Sequence, residues 1–320
     1  MTITSIFTQM FYRPQWTPDT GLPDLTGKVA IVTGGSNGLG RETVCQLAKK
    51  GAHVFILSRT CQALKEMIAE TGNSKLEFIA CDFSDFSSVC AAAETFLAKG
   101  LPLHILVNNA GCIKDFSIAQ HGIETQFTIN HFGPVLLTSK LLPVLEASQP
   151  SRIVNISSMS HIFVYPKIFY ENINSKKQFD AEVRYNETKL ANIHFTLELH
   201  RRLQAKYAAQ GKECNVFVNC VHPGAVSTQM TSDNPSGQDM KNTVLNSIRI
   251  PVDKGALTQI YVAGAQTIEE ERLSGKYFVP YCDVAEPSSV ASSEEGGKTT
   301  WDWTCYMLRT HFDPEFDFQI

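Results

Sequence analysis

The chain has 320 residues, of which 43% are hydrophobic and 19% are charged, and its formal net charge is −4. This length and composition are typical of one large α/β domain, or at most of two ordinary ones. The acidic balance provides no basic surface for nucleic acid, and no apolar run approaches the roughly 18 residues that cross a bilayer. We therefore expect no transmembrane segment and no nucleic-acid partner.

Residues 1–25 form an N-terminal extension ahead of the first predicted strand. The opening MTITSIFTQMFYRPQW has no early positive region and no continuous apolar core, so we do not expect a secretory signal. Its aromatic side chains could touch a membrane surface, but docking on the domain is the simpler interpretation. These side chains are Phe7, Phe11, Tyr12 and Trp16.

The nine cysteines are scattered along the chain without a C-x-x-C pair, and the nine histidines show no metal-ligand spacing. This pattern predicts neither a zinc site nor a disulfide framework, and we expect no bound metal. Reduced, mostly buried thiols are typical of the cytosol, so we expect a cytoplasmic protein.

Short apolar runs alternate with helical patterns along the chain. The runs at 28–33, 53–57, 76–81, 104–107, 152–156, 215–221 and 276–279 are predicted strands. The stretches at 41–50, 61–70, 86–98, 122–145 and 185–208 are predicted helices. Continuously hydrophobic strands indicate that both faces of the sheet are covered. The alternation predicts an α/β fold: a single doubly wound Rossmann domain over residues 26–284, with a parallel sheet of about seven strands.

The last segment, residues 285–320, is predicted to be a tail packed on or near the substrate pocket. Its first part, AEPSSVASSEEGGKT at 285–299, has the composition of an exposed loop. The tail aromatics Trp301 and Trp303, with Asp302, could cap the pocket or fill an interface, and the sequence leaves both possibilities open.

A glycine-rich loop, TGGSNGLG at 33–40, follows the first predicted strand and opens a helix. Glycines allow a tight turn and a close backbone approach to a pyrophosphate, and a helix N-terminus supplies N–H donors. A glycine-rich turn without a ligand is the alternative, but the position between strand and helix favours a dinucleotide site. The predicted cofactor-binding residues of this loop are Gly34, Ser36, Asn37, Gly38, Leu39 and Gly40.

The end of the second predicted strand indicates which dinucleotide is bound. An NAD-preferring site usually places a carboxylate there, which binds the ribose 2′-hydroxyl. This chain has Ser58 and Arg59 instead. A guanidinium can pair with the 2′-phosphate of NADP, so NADPH is predicted in preference to NADH. The alternative is that Arg59 is a solvated surface residue.

Five motifs occur in order: the glycine loop, Asn108-Asn109-Ala110-Gly111, Ser157-Ser158, Tyr185-Asn-Glu-Thr-Lys189 and Pro223-Gly224. With them the chain resembles the short-chain dehydrogenase/reductase family over nearly all of residues 26–280. Further motifs, such as Asn130-His-Phe-Gly-Pro134 and Lys189-Leu-Ala-Asn192, are similar to the retinol-dehydrogenase-like and fungal reductase subgroup. The resemblance implies an NAD(P)-dependent interconversion of alcohol and carbonyl, whereas substrates within the subgroup are diverse.

The resemblance implies a catalytic group of Ser158, Tyr185, Lys189 and Asn130. Lys189 follows Tyr185 at i+4, which places both on one face of a helix. The lysine charge, together with that of the oxidised nicotinamide, is expected to lower the pKa of Tyr185 from its usual value near 10. Tyr185 and Lys189 are also expected to contact the cofactor, the lysine through the nicotinamide ribose. An ordinary surface pair at this spacing is the alternative.

Ser158 is expected to hydrogen-bond the substrate oxygen and to stabilise the charge that grows there. Ser157 is the rival, and the family pattern, which places the working serine second, favours Ser158. A serine hydrolase would need a G-x-S-x-G elbow, which surrounds neither serine.

A separate physical argument supports a role for the backbone of Asn130. Pro134 has no N–H, so the carbonyl of Asn130 loses its helical partner four residues later. If that carbonyl is buried it needs another donor, for which a water is the natural one. The family uses such a water to link the lysine to solvent. A simple helix kink is the alternative, and the two are compatible.

Four further cofactor contacts follow from the resemblance alone. Asp82 would approach the adenine, although a turn or helix-cap role is an equal alternative. Asn109 would line the cleft, and Val226 and Thr228 would meet the nicotinamide amide.

The connection from Ser158 to Tyr185 is longer than is common in the family and carries several apolar side chains, which favour a hydrophobic substrate. They are Ile162, Phe163, Val164, Tyr165, Phe169 and Tyr170. Structural packing would explain some of them equally well. The predicted function is NADPH-dependent reduction of a ketone or aldehyde; the alternatives are NAD(P)-dependent alcohol oxidation and a non-catalytic nucleotide-binding regulatory protein. A homodimer through the helices that contain Asn130 and Tyr185 is expected by analogy.

Overall fold

One sheet of eight strands forms the centre of the protein in a computed structural model that describes residues 15–224, 226, 250–318 and 320. The strands are β1 (Val29–Thr33), β2 (His53–Ser58), β3 (Leu76–Ala80), β4 (Ile105–Asn108), β5 (Ser151–Ile156), β6 (Val216–Val221), β7 (Tyr277–Val279) and β8 (Asp283–Ala285). Their spatial order is β3-β2-β1-β4-β5-β6-β7-β8.

The first seven strands are parallel, and β8 runs antiparallel to β7. Every residue of β1, β4, β5 and β6 is buried, which is why these runs are mostly apolar. Hydrophobic clusters cover both faces of the sheet. The predicted doubly wound α/β fold is confirmed, with β8 as an unpredicted edge strand.

The helices lie on the two faces of the sheet. They are α1 (Pro18–Gly21), α2 (Gly38–Lys49), α3 (Leu64–Thr71), α4 (Phe86–Leu97), α5 (Thr125–Phe127), α6 (Gly133–Ala147), α7 (Ala181–Ala208), α8 (Val252–Gly264), α9 (Thr267–Glu270) and α10 (Glu294–His311). A π-helical turn at Thr128–Phe132 joins α5 to α6. Short 3-10 turns at Met159–Phe163, Tyr170–Asn172 and Lys176–Gln178 occupy the long connection before α7.

The C-terminal segment differs from the prediction, because residues 294–299 begin the helix α10 and are not an exposed loop. Ser293 caps this helix by accepting a hydrogen bond from the N–H of Gly296. A Cβ on Gly296 would lie 3.0 Å from the imidazole of His194 on α7. The Ser/Gly-rich composition therefore reflects a cap and a close helix–helix contact, which local sequence does not distinguish from a loop.

The aromatic residues of α10 pack within the chain. Trp301 is 5% exposed and stacks on Phe195 of α7, and Trp303 packs against Phe127 and Phe132 beside the π-helical turn. These two tryptophans thus attach the C-terminal helix to the elements that contain Asn130 and Tyr185.

The described part of the N-terminal extension docks on the domain. Leu22 and Leu25 are buried, and Trp16 contacts the ring of Tyr261 on α8 edge-on at 5.2 Å. The segment with Phe7, Phe11 and Tyr12 lies outside the described residues. Among the helices of the described residues, none is long and apolar enough to span a membrane.

Candidate active site

Several predicted site residues gather at one edge of the sheet. In a parallel sheet the carboxyl ends of all strands meet at the same edge, where ligands of doubly wound folds bind. The glycine loop follows β1, Asn109 follows β4, and Ser158 comes two residues after β5. Helix α7 brings Tyr185 and Lys189 to this edge, where Lys189 hydrogen-bonds the last carbonyl of β5.

The glycine loop has the geometry of a pyrophosphate site. Gly34 and Gly38 have positive φ angles of 63° and 54°, which favour glycine. A Cβ on Gly40 would clash with the carbonyl oxygen of Gly34 and would lie 2.6 Å from Nδ2 of Asn109. Only glycine therefore allows the first turn of α2 to approach the loop this closely.

The start of α2 leaves its backbone donors available to an anion. Asn37 at the N-cap makes no side-chain capping bond within the described part of the chain, and the first turn contains no acidic residue. Ser36 is half-buried, whereas the Leu39 side chain is buried against Ile260 of α8, so Leu39 faces the loop with its backbone only. These residues fit a dinucleotide phosphate.

Asn109 fixes the loop to the neighbouring strand. Its Nδ2 donates to the carbonyl of Thr33 at 2.9 Å, and its backbone N–H donates to Oγ1 of Thr33 at 2.9 Å. Gln259 of α8 donates to its Oδ1 at 3.4 Å. Its side chain therefore shapes the floor of the predicted cleft.

The remaining positions predicted to contact the cofactor have different surroundings. Arg59 is exposed and makes no hydrogen bond or ion pair with any other described residue. The carboxylate of Asp82 accepts from the N–H and the hydroxyl of Ser84 at 2.9 and 2.7 Å, the turn role that the sequence left open. Val226 pairs with Ile250 in an isolated bridge, and Thr228 lies outside the described residues.

The two adjacent serines face different neighbours. Ser157 is buried and donates through Oγ to the carbonyl of Lys189 at 2.7 Å. Ser158 is half-buried; its Oγ accepts from the N–H of Ser160 at 3.2 Å, and its side chain interacts with the phenol of Tyr185. Ser158 is therefore the serine beside the phenol, and Ser157 anchors helix α7.

Lys189 is almost fully buried beneath Tyr185. Its Nζ lies 5.3 Å from the centroid of the Tyr185 ring and donates to the carbonyl of Ile156 at 3.0 Å. Burial lowers the pKa of Lys189 to about 8, so the ammonium remains the main form at pH 7. Burying a cation with one carbonyl partner costs folding free energy. A lysine that is kept charged in such a place is therefore a candidate functional residue.

The pKa of Tyr185 differs from that of a free tyrosine. Burial raises it to about 12, and the hydrogen bond with Ser158 opposes this rise. Without the cofactor, the pKa of Tyr185 therefore departs upward, because desolvation of the phenolate is the largest effect. The lowering expected from Lys189 together with the oxidised nicotinamide stays a prediction. The phenol is protonated at neutral pH.

The carbonyl of Asn130 has a protein donor, and the water expected at this oxygen stays a prediction. Asn192 donates through Nδ2 to this oxygen at 3.0 Å. The predicted interruption of the helix is present as the π-helical turn, in which Gly133 N–H donates to the carbonyl of Thr128. The Asn130 side chain bonds both backbone groups of Cys112, at 2.7 and 2.9 Å. The Asn130 side chain therefore fixes the backbone at Cys112 beside the site.

Three residues that contact one another beside Asn130 were not assigned a role from the sequence. They are Asn192, His131 and Thr304. Their side chains are linked, since Asn192 contacts His131 at 3.1 Å and His131 contacts Thr304 at 2.8 Å. The two asparagine positions, 130 and 192, each stand inside a motif that the sequence displays. Only the pairing of α7 with the π-helical turn reveals that their groups meet.

The long connection before α7 is partly core and partly surface. Val164 and Ile168 are buried, and Tyr170 packs on Trp303 with ring centroids 4.5 Å apart. Phe163 and Tyr165 are 71% and 79% exposed. Packing therefore explains part of this apolar content, and Phe163 and Tyr165, the most exposed aromatic residues of the connection, remain available to a ligand.

Comparisons with known proteins place the chain in a family. The model of the family described as short chain dehydrogenase matches residues 28–239. Retinol dehydrogenase 12 of Mus musculus is 36% identical over 289 residues, which cover 89% of this chain and 87% of that protein. An uncharacterized oxidoreductase of Schizosaccharomyces pombe is 35% identical over 280 residues, which cover 83% and 80%.

A solved structure of an uncharacterized protein from Mycobacterium paratuberculosis has the same fold. It superposes with a TM-score of 0.72 and 26% identity, covering 93% of this chain and 98% of that one. The chain therefore belongs to the short chain dehydrogenase family and is retinol-dehydrogenase-like within it. It is an NAD(P)-dependent oxidoreductase that acts on CH–OH or C=O groups.

Proposed function

We propose that this enzyme reduces a hydrophobic ketone or aldehyde with NADPH, with Tyr185 as the proton donor. The observation that carries the proposal is the placement of the Tyr185 phenol beside the Ser158 side chain, with the Lys189 ammonium below the same ring. The nicotinamide, when bound, supplies the hydride. The substrate oxygen then needs one proton and a group that stabilises its growing charge.

Each catalytic side chain has one task in this proposal. Ser158 donates a hydrogen bond to the substrate oxygen and orients it toward the phenol. Tyr185 delivers its proton to that oxygen. Lys189 supplies positive charge beneath the phenolate that remains, and Asn130 holds the wall of the site beside it.

Without the cofactor, Tyr185 is in the protonation state from which a carbonyl reduction starts. With a pKa raised to about 12, the phenol carries the proton that a carbonyl reduction consumes. Oxidation of an alcohol begins with the reverse transfer and needs the phenolate. Alcohol oxidation is the second candidate because relatives of this chain bear the name retinol dehydrogenase.

The cofactor preference is proposed from the end of β2. No carboxylate follows this strand; Ser58 donates to the carbonyl of Thr60 at 2.8 Å, and the exposed Arg59 comes next. A guanidinium there can pair with a 2′-phosphate, whereas a 2′-hydroxyl offers it no charge. Together with Arg59, the residues proposed to bind the cofactor are those of the glycine loop, Asp82, Asn109, Tyr185, Lys189, Val226 and Thr228.

The substrate is proposed to be apolar. Phe163 and Tyr165 are exposed in the connection that leads from Ser158 to α7, and the named substrate of several relatives, retinol, is an apolar alcohol. All nine cysteines are unpaired, which fits a reducing compartment, so we propose a cytoplasmic enzyme. The expected homodimer and the division into extension, catalytic domain and tail stay predictions.

A panel of hydrophobic ketones and aldehydes, including the aldehyde of retinol, tests the activity by loss of NADPH absorbance. We expect Tyr185→Phe to lower kcat at least about 100-fold while NADPH affinity stays near that of the parent protein. Tyr207→Phe is the matched control, because Tyr207 hydrogen-bonds Gln149 at the far end of α7. Turnover by Tyr185→Phe near the parent rate would refute the proton-donor assignment.

Binding titrations test the cofactor preference separately. Loss of a charge-assisted contact predicts that Arg59→Ala weakens NADPH binding about tenfold or more and leaves NADH binding unchanged. Lys212→Ala removes an exposed cation outside the proposed site and should change neither. Equal effects of Arg59→Ala on the two dinucleotides would overturn the preference.

A further inference from the structure

Asn192 lies one turn after Lys189 on α7, and its side chain is buried. Its Nδ2 donates to the carbonyl of Asn130 at 3.0 Å and to that of Ile156 at 3.2 Å. Lys189 donates through Nζ to the same Ile156 oxygen at 3.0 Å. The Asn192 side chain therefore links two carbonyl groups. One is that of Asn130, which has no helical donor because of Pro134, and the other is that of Ile156, which binds Lys189.

His131 fixes the direction in which this carboxamide faces. The Nδ2 donors point at two carbonyl oxygens, so Oδ1 of Asn192 must accept, and Nδ1 of His131 lies 3.1 Å from it. His131 is fully buried, and burial lowers its pKa to about 4, so the imidazole is neutral near pH 7. Its one N–H is therefore assigned to Nδ1, and Nε2 has to accept a hydrogen bond.

The Thr304 hydroxyl of α10 lies between two acceptors, Nε2 of His131 and the carbonyl of Thr300 at 2.7 Å. Its single hydrogen is assigned to Nε2, because the N–H of the neutral imidazole is already assigned to Nδ1. The hydroxyl oxygen and Nε2 are 2.8 Å apart, and the Thr304 side chain is buried. One turn earlier, Thr300 contacts Nδ1 of His194 on α7 at 2.7 Å. The C-terminal helix is thus joined by hydrogen bonds to the residues that surround the lysine.

We propose that Asn192 is a positioning residue, which fixes the carbonyl acceptor of Lys189 and is itself oriented by His131 and by Thr304 of the C-terminal helix. The inference rests on the proposed function, in which the Lys189 ammonium must stay beneath the Tyr185 ring. The lysine has a flexible stem, and Ile156 O is the carbonyl that orders its end. Because Asn192 donates to the same Ile156 oxygen, it fixes the position of the acceptor and thereby that of the Lys189 ammonium.

Asn192→Ala tests the positioning directly. We expect kcat to fall about tenfold or more because the ammonium loses its fixed place, while the KM values for NADPH and the carbonyl substrate change little. Asn219→Ala is the matched control: Asn219 is equally buried, donates to the carbonyl of Leu273 at 2.8 Å and accepts from Lys276 N–H at 3.0 Å. An unchanged kcat in Asn192→Ala, or an equal loss in the control, overturns the proposal.

The link to the C-terminal helix is tested by two changes at one position. Thr304→Val keeps the shape but removes the donor to His131, so kcat should fall about threefold or more, whereas Thr304→Ser keeps the hydroxyl and should restore most of the rate. Thr304 acts through Asn192, so Thr304→Val should have no further effect on kcat in an Asn192→Ala background. Additive losses, or equal rates for the valine and serine variants, contradict the link.

A titration of Lys189 separates this inference from the proposed function, because it needs no turnover. The ¹³Cε signal of Lys189, assigned by its loss in Lys189→Met, reports the pKa of the ammonium. The titratable groups that face it are Tyr185, Cys112 and Cys220.

Asn192→Asp should raise the pKa of Lys189 by about one unit or more, because it adds an opposite charge nearby, and Asn219→Asp should leave it unchanged. An unmoved titration in Asn192→Asp sinks this inference and leaves the function intact. A parent enzyme that turns over no carbonyl substrate, with the titration moved as expected, sinks the function alone.

Discussion

Replacing Lys189 with methionine should stabilise the protein while it removes activity. Lys189 is 2% exposed, and burial lowers the pKa of its ammonium from 10.5 to about 8. At 1.36 kcal/mol per pKa unit, this shift corresponds to a cost of about 3 kcal/mol for keeping the charge in the folded state at pH 7. Methionine has a similar length and needs no charge solvation.

The variant also loses one hydrogen bond, which reduces the gain. The bond from Nζ to the Ile156 carbonyl contributes about 1 kcal/mol, and that oxygen keeps the Nδ2 donor of Asn192. The expected net gain is about 2 kcal/mol. With an unfolding entropy of about 2.1 cal/mol/K per residue, this gain raises Tm by about 3 °C.

The pH dependence provides the sharper test. The folded pKa lies below the unfolded one, so between about pH 8 and 10.5 the folded state binds fewer protons than the unfolded state. Wild-type stability relative to the variant therefore rises with pH across this window. The electrostatic part of the gap should shrink to about half of its pH 7 value at pH 9.5.

Urea denaturation of both proteins at pH 7 and pH 9.5 measures this gap. Lys212→Met, at an exposed lysine, is the control and should show no gap at either pH. A Lys189→Met protein that is less stable than the wild type at pH 7, or a gap that is the same at both pH values, would refute the reasoning that the charge is buried at a cost.

Three further substitutions test the packing around the site. Gly40→Ala should weaken NADPH binding about tenfold or more in a fluorescence titration, because its Cβ meets the Gly34 carbonyl; unchanged affinity would contradict the close approach. Ser157→Ala should lower the free energy of unfolding by about 1 kcal/mol or more through the lost bond to the Lys189 carbonyl, and a variant as stable as the parent in urea would speak against that bond. Trp301→Ala should cost about 3–5 kcal/mol in the same assay, and a loss below 1 kcal/mol would show that α10 is only loosely attached.

The sequence predicts the strands and the glycine loop well because their causes are local. The run VAIV at 29–32 is apolar throughout, as expected for a strand covered on both faces. Gly34 and Gly38 adopt positive φ angles that the order of glycines already suggests. The spacing of Tyr185 and Lys189 likewise defines one helical face without any knowledge of the fold.

The choice between Ser157 and Ser158 depends on tertiary structure. The two hydroxyls are adjacent in the chain, and both follow the same strand. Successive residues of an extended chain point to opposite sides, so one hydroxyl reaches the Lys189 carbonyl and the other reaches Tyr185. The family pattern favours Ser158, but only the position of α7 gives the physical reason why the two hydroxyls have different partners.

By itself, the sequence determined the fold class, the order of the site elements and the types of side chain in the cleft. These follow from hydrophobic periodicity and motif spacing, which are local properties of the chain. The tertiary structure alone decided which buried groups satisfy one another. Asn130 receives its donor from Asn192, and His131 is held by Thr304 of a helix whose first turn has the composition of a loop. Such partners are set by how helices pack on the sheet, and a buried polar group takes whichever donor the packing places beside it.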